Sequence, residues 1–215
     1  MINFHIITLF PDAIKPYLDA SVIGRAQRNK LISVNYYSPR DFTQDKHKRV
    51  DSEPYGGGPG MVLEAESILK AIRKAVGKKR NVEFIFFTPS GKQFDNTFAR
   101  SVARDYKKTK HIVLISGRYE GIDARVIKIL KPKLVSMGPF ILSGGEIPAM
   151  IFVDAVARQI PGVLGKINSI EENRTASSEV YTRPATMIWR GKKYSVPKVL
   201  LSGDHKKIED WKKKH

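Results

Sequence analysis

The chain contains no cysteine, which excludes disulfides and thiolate metal sites and suits a reducing compartment without requiring one. It is also short of acid: 21 Asp and Glu stand against 38 Lys and Arg in 215 residues, a formal net charge of +17. An imbalance of that size attracts polyanions through a long-range field and counterion release, so nucleic acid is the leading partner expected. A cationic surface kept for solubility is the plainer alternative. No apolar run approaches the roughly 18 residues needed to cross a bilayer. The first residues, Met1-Ile-Asn-Phe-His-Ile-Ile-Thr-Leu9, lack a basic leader and a small-residue cleavage site, so a cytoplasmic protein without membrane contact is expected. The five histidines, at 5, 47, 111, 205 and 215, never fall at metal-ligand spacing, and no dedicated metal site is expected.

Two nucleotide fingerprints are missing too. Residues 55–61, Tyr-Gly-Gly-Gly-Pro-Gly-Met, look like a phosphate loop but lack the Gly-Lys-Ser/Thr ending that supplies a lysine and a magnesium hydroxyl. From composition, a tight turn and a backbone platform for a planar base are equally good readings of this loop. No Gly-x-Gly-x-x-Gly follows a strand pattern, so any adenosyl ligand must be held differently.

What is present is alternation. Residues 2–9 read as a strand, 12–30 as a helix entered through Pro11, and 32–37 as a second strand. Strand patterns recur at 82–87, 111–116 and 133–136, separated by helical patterns at about 64–77, 94–107 and 121–130. This predicts an α/β fold, a parallel sheet with helices on both faces. Three of the strand patterns run into glycine-bearing loops: Thr88-Pro-Ser-Gly-Lys92, Gly117-Arg-Tyr-Glu-Gly-Ile-Asp123 and Ser136-Met-Gly-Pro-Phe-Ile-Leu-Ser-Gly-Gly-Glu146. Ligands of open parallel sheets sit beyond the carboxyl ends of the strands, where such loops gather, so one ligand held by backbone is expected. In the middle loop Arg118, Tyr119, Glu120 and Asp123 are more functional groups than a structural turn needs.

Residues 146–160 are apolar almost all round, as in a helix packed on both sides or in a subunit interface, and Ser143 with Glu146 has capping-box spacing at its start. Asp154 and Arg158 share a face of that helix at i,i+4, where an ordinary ion pair is the simplest reading. Pro161-Gly162 ends the helix, and the polar run 166–179 reads as a linker. The expected division is a domain at 1–160, a linker at 161–180 and a small second unit at 181–215. That unit reads as a turn-rich stretch around Trp189, then residues 196–201, then a short charged helix holding Trp211.

Together these motifs resemble one family, the bacterial tRNA (guanine-N1)-methyltransferases, TrmD, of the knotted SPOUT class. The residues that carry the resemblance are Ile7-Thr-Leu-Phe-Pro11, Val50-Asp51, Pro54-Tyr-Gly-Gly-Gly-Pro-Gly-Met61 and Gly117-Arg-Tyr-Glu-Gly-Ile-Asp123. Further along they are Leu142-Ser-Gly-Gly-Glu146, Asp154-Ala-Val-Ala-Arg158, Pro161-Gly-Val-Leu-Gly165, Tyr181-Thr-Arg-Pro184 and Val199-Leu-Leu-Ser-Gly203. The resemblance implies an enzyme that moves a methyl group from S-adenosylmethionine to N1 of the tRNA guanosine at position 37. It implies a deep trefoil knot, a homodimer with a shared active site, and a small, mainly helical C-terminal domain that grips tRNA. Magnesium is a family property for which no ligand set is visible here.

By the same resemblance the cofactor lies against Phe86, Phe87, Thr88 and Pro89, against Gly117, Arg118, Tyr119, Glu120 and Gly121, and against Ser136, Met137, Gly138, Pro139, Phe140, Ile141, Leu142, Gly144 and Gly145. Gly56, Gly57, Gly58, Pro59 and Gly60, with Asp154 and Arg183, are implied to touch the substrate. Arg158 matches the family's assisting arginine. The family's base, an aspartate, falls in register on Asn173, and an amide cannot accept the proton as a carboxylate does. Glu172 is therefore expected to act in its place, with Glu171 and Glu179 behind it. The alternative is an RNA-binding homologue with weak or lost catalysis. The chain stops at His215, before the family's usual C-terminal helices, so either the tRNA grip is reduced or this is one piece of a longer protein.

Overall fold

A computed structural model describes residues 1–105, 109–165 and 179–214. The chain divides into two units, Met1–Gly165 and Lys166–His215. In the first, β1 (Ile2–Ile7), α1 (Pro11–Leu18), α2 (Ser21–Arg28) and β2 (Ile32–Tyr37) are followed by two short strands, β3 (Asp51–Ser52) and β4 (Val62–Leu63). Then come α3 (Ala65–Val76), β5 (Val82–Gln93), α4 (Asn96–Arg104), β6 (His111–Ile115), α5 (Ala124–Leu130), β7 (Lys133–Ser136) and α6 (Glu146–Arg158).

The main sheet has the order β2-β1-β6-β5-β7, with every pairing parallel. Side chains alternate across a strand, and the two cores record it. Ile2, Phe4 and Ile6 of β1 with Ile112 and Leu114 of β6 face α1, α2, α4 and α6, whereas Ile7, Val113 and Ile115 face α3 and α5. Covering both faces is what lets these strands be apolar on both sides.

The expected single helix over 12–30 is two helices. The first closes through Asp19 N and Ala20 N, bonded to Lys15 O and Tyr17 O, and the second opens where Gly24 N meets Ala20 O at 2.8 Å. Gly24 permits the break, because a Cβ there would stand 1.9 Å from Asp19 O. Strand β5 is longer than expected. Phe87 and Lys92 both register with Val135, so the residues between them are pinched out of the ladder. Gly91 is forced by this close approach: its Cβ would lie 2.4 Å from Val135 N.

Residues 161–165 pack with the first unit, where Val163 is 2% exposed and Gly162 stands against Leu31. In the second unit, the stretch around Trp189 is an antiparallel hairpin, β8 (Thr186–Trp189) and β9 (Lys192–Ser195), followed by α7 (Lys198–Leu201) and α8 (His205–Lys214). No helix among the described residues is long and apolar enough to cross a membrane.

Candidate active site

Beyond the carboxyl ends of β6 and β7, beside the stretch where β5 leaves the ladder after Phe87, lies a cavity of about 380 Å³, within the usual size range for small-molecule sites. Its walls include Phe86 to Pro89, Gly117 to Ile122, and much of the loop between β7 and α6. Of the expected cofactor residues, Phe86, Phe87, Thr88, Pro89, Gly117, Arg118, Tyr119, Glu120, Gly121, Ser136, Met137, Phe140, Ile141, Leu142, Gly144 and Gly145 meet there. Gly138 and Pro139 are not among the lining residues. Ser136 Oγ bonds the Gly138 carbonyl at 3.1 Å and curls the loop back, and the Phe140 ring occupies the space a Gly138 Cβ would need. Ile122, Val135, Ser143 and Pro148 also line the cavity.

Backbone stitches the middle loop to the third. Gly145 N donates to Gly117 O at 2.9 Å, Ser116 Oγ donates to Gly145 O at 3.1 Å, and Arg118 bridges to Gly144. This close approach requires glycine: a Gly145 Cβ would lie 2.5 Å from Ser116 Cα, and a Gly144 Cβ 2.4 Å from Arg118 Nε. The cavity is thus walled by close-packed backbone with exposed polar groups, interleaved with Phe86, Ile122, Met137 and Leu142. Such a wall suits a ligand that pairs an apolar planar ring with hydrogen-bonding edges.

The capping box expected from Ser143 and Glu146 does not form. Gly145 is the N-cap of α6 and has no side-chain cap, while the Glu146 carboxylate, 4% exposed, turns elsewhere. It accepts from Thr8 Oγ1 at 2.9 Å and from Arg118 Nε at 3.0 Å. Thr8 Oγ1 in turn accepts from Phe10 N at 3.0 Å, and the Arg118 guanidinium lies 4.6 Å from the Phe10 ring centroid. Glu146 and Thr8 stand in motifs of the sequence, but nothing there pairs them or makes them builders of the site. They are 138 positions apart, so no local spacing links them.

Asp123, expected as a functional group, is spent on structure. It accepts from Arg125 N as the cap of α5, and the Arg125 side chain holds its carboxyl below the usual range. The loop at 55–61 reaches the cavity rim through backbone: Glu120 N donates to Met61 O at 3.0 Å and Leu63 N to Gly121 O at 3.1 Å. Gly56, Gly57, Gly58 and Gly60 all have positive φ. On α6, Asp154 Oδ2 accepts from the Tyr17 hydroxyl at 2.6 Å, a bond that raises the Tyr17 pKa. Arg158 ends the same helix. Arg183 belongs to the second unit, and Glu171, Glu172 and Asn173 lie outside the described residues. Among the described residues no group of three or more His, Cys, Asp and Glu is placed to hold a metal ion.

The family model described as tRNA (Guanine-1)-methyltransferase TrmD matches residues 2–215. A tRNA (guanine-N(1)-)-methyltransferase of Dictyoglomus turgidum is 43% identical over 218 residues, covering 100% of this chain and 84% of that protein. One from Pseudoalteromonas atlantica is 42% identical over 216 residues, covering 98% and 78%. The crystal structure of tRNA (m1G37) methyltransferase from Aquifex aeolicus superposes with a TM-score of 0.81 at 37% identity, covering 100% of this chain and 88% of that one. With the parallel sheet, the glycine-walled cavity at its carboxyl edge and a match over nearly its whole length, the chain belongs to the tRNA (guanine-1)-methyltransferase TrmD family.

Proposed function

We propose that the chain transfers the methyl group of S-adenosylmethionine to N1 of the guanosine at position 37 of tRNA. The observation that carries this reading is the cavity walled by the interrupted stretch of β5 and by the loops after β6 and β7, in a chain whose relatives bear that activity in their names. The same names lend no support to a homologue that has lost catalysis.

The residues fit the cofactor. The close-packed backbone at Gly117, Gly144 and Gly145 offers amides and carbonyls to adenine edges, and Phe86, Ile122, Met137 and Leu142 offer an apolar surface to its ring. Bound there, S-adenosylmethionine supplies an electrophilic methyl group. The protein's own tasks are to align guanine N1 with it and to take the N1 proton, which is only weakly acidic. The Glu172 carboxylate would take the N1 proton. Arg158 orients that carboxylate and steadies charge on the guanine oxygen. Gly56 to Gly60 and Asp154 border the guanine, and Arg183 holds backbone phosphates.

The active unit is a homodimer. Support comes from α6, where Ile147 and Ile151, one turn apart, are 48% and 41% exposed beside a buried face. The apolar Phe140 and Ile141 stand exposed in the preceding loop. A deep trefoil knot belongs to the same reading, supported by the family and by the mutually stitched loops after β6 and β7. So does a cytoplasmic location, where tRNA is modified.

Calorimetry with S-adenosylmethionine, followed by methyl incorporation into a tRNA transcript carrying guanosine 37, tests the reading. Incorporation that disappears with adenosine at 37 is the expected result; binding without turnover would overturn it. Glu172→Gln is expected to slow transfer by orders of magnitude, and a wild-type rate in that variant removes Glu172 as the base.

A further inference from the structure

The hairpin β8–β9 has all eight strand residues exposed. Its turn, Arg190-Gly191, takes positive φ at both residues, 51° and 77°, the geometry that joins twisted strands through two residues. Register then sorts the side chains. Met187 pairs with Tyr194 and Trp189 with Lys192, so these share one face, while Thr186, Ile188, Lys193 and Ser195 share the other. The first face presents Trp189 at 60%, Met187 at 52% and Tyr194 at 51% exposure, with Lys192 between the two aromatic residues. The Arg190 guanidinium lies 5.9 Å from the Trp189 ring centroid.

Charge narrows the occupant. Residues 180–203 hold five cations, Arg183, Arg190, Lys192, Lys193 and Lys198, and no Asp or Glu. Exposed aromatic rings would attract any apolar partner, but rings set among cations without one carboxylate complement a polyanion that carries π-faces. Stacked base planes inside an RNA duplex are beyond the reach of such a ribbon, whereas unpaired bases are not.

We infer that the Met187–Trp189–Lys192–Tyr194 face of the hairpin is a platform on which unpaired bases of the RNA substrate stack, with Lys192 and Arg190 meeting the flanking phosphates. The inference deepens the tRNA-modifying reading and rests on it. It places recognition of a single-stranded segment of the tRNA on the second unit and makes that unit more than a phosphate grip.

Trp189 reports on the proposal directly. The full-length Trp211→Phe variant keeps it as the sole tryptophan, since the chain has two. Its emission is expected to be quenched by the guanosine-37 transcript and by a single-stranded oligonucleotide, and unchanged by a blunt RNA duplex of equal length. Trp189→Leu is expected to weaken transcript binding about tenfold, with Trp189→Phe retaining most of it. The slope of log affinity against log salt should hold in Trp189→Leu and fall in Lys192→Gln by roughly 0.7 for each phosphate no longer neutralised, while Lys193→Gln, on the opposite face, leaves it closer to wild type. Unquenched emission on transcript binding, or full affinity in Trp189→Leu, overturns the platform. So does emission that changes with protein concentration in the absence of RNA, which would assign the face to a second copy. Methyl incorporation by wild type, measured on the same preparations, separates this failure from failure of the enzymatic reading.

Discussion

Arg118 and Glu146 form an ion pair at 3.0 Å with side chains 26% and 6% exposed, and it joins the loop after β6 to the first residue of α6. The other Glu146 oxygen is held by Thr8 at 2.9 Å, so one carboxylate ties the ends of three segments together beneath the cavity. Removing one partner of a buried pair leaves the other uncompensated. Glu146→Ala should cost about 3 kcal/mol of stability and weaken S-adenosylmethionine binding, because Arg118 lines the cavity. Thr8→Val removes a neutral hydroxyl that donates to Glu146 and accepts from Phe10 N, leaves the Arg118 pair in place, and should cost about 2 kcal/mol. Denaturant unfolding and cofactor calorimetry on the two variants check the ranking.

Gly145 and Gly117 both line the cavity but differ in what a side chain would meet. A Cβ on Gly145 lies 2.5 Å from Ser116 Cα and 3.0 Å from Gly117 N, both backbone, whereas one on Gly117 meets the Phe86 ring at 3.1 Å. A ring can turn aside and a strand end cannot. Gly145→Ala should lower cofactor affinity about tenfold or more, and Gly117→Ala should be the milder change. Isothermal titration of both variants decides it.

Much of this fold is legible in the chain itself. The βα alternation implies a parallel sheet, and the loops at 88–92, 117–123 and 136–146 follow strand patterns, which is why they converge at one edge. What is not legible depends on partners distant in sequence. Glu146 resembles a cap residue because Ser143 stands three positions before it, but its bonds go to Thr8 and Arg118. The break at Asp19–Ala20 hides in a continuous helical pattern because Gly24, the residue that permits it, is also tolerated inside a helix. The hairpin at Trp189 hides because alternation needs a buried face to be recognisable, and both of its faces are exposed.

Buried His5 predicts an acid-sensitive fold. Burial first, then His111 and Lys79, hold its imidazole down to about 4 from an ordinary 6.5, and His111, 3.1 Å away, is lowered too. Between those values the unfolded chain binds more protons than the folded one, so stability is complete above pH 6.5 and falls as pH drops toward 4. The loss from His5 alone amounts to at most about 3 kcal/mol. His5→Leu should flatten the stability profile across this window, as followed by urea midpoints at half-unit pH steps.

Gly60 links the glycine-rich loop to the cavity rim, and its substitution should separate the two substrates. Its φ is +83°, and a Cβ there would lie 2.6 Å from both Cγ and Oε1 of Glu120, whereas Gly57, at φ +78°, has nothing within 4 Å. Gly57→Ala therefore brings only backbone strain, while Gly60→Ala also displaces Glu120, whose amide is bonded to Met61 O at 3.0 Å. In the proposed reaction this loop borders the guanine and not the adenosyl group. Gly60→Ala should raise the KM for tRNA by about tenfold through the loop itself, and the KM for S-adenosylmethionine by less, through the displaced Glu120 that lines the cavity. Gly57→Ala, which strains the backbone without meeting a neighbour, should raise the KM for tRNA by less than Gly60→Ala does. Steady-state kinetics with each substrate varied in turn measures the split, and equal rises in both KM values would instead make the loop part of the cofactor wall.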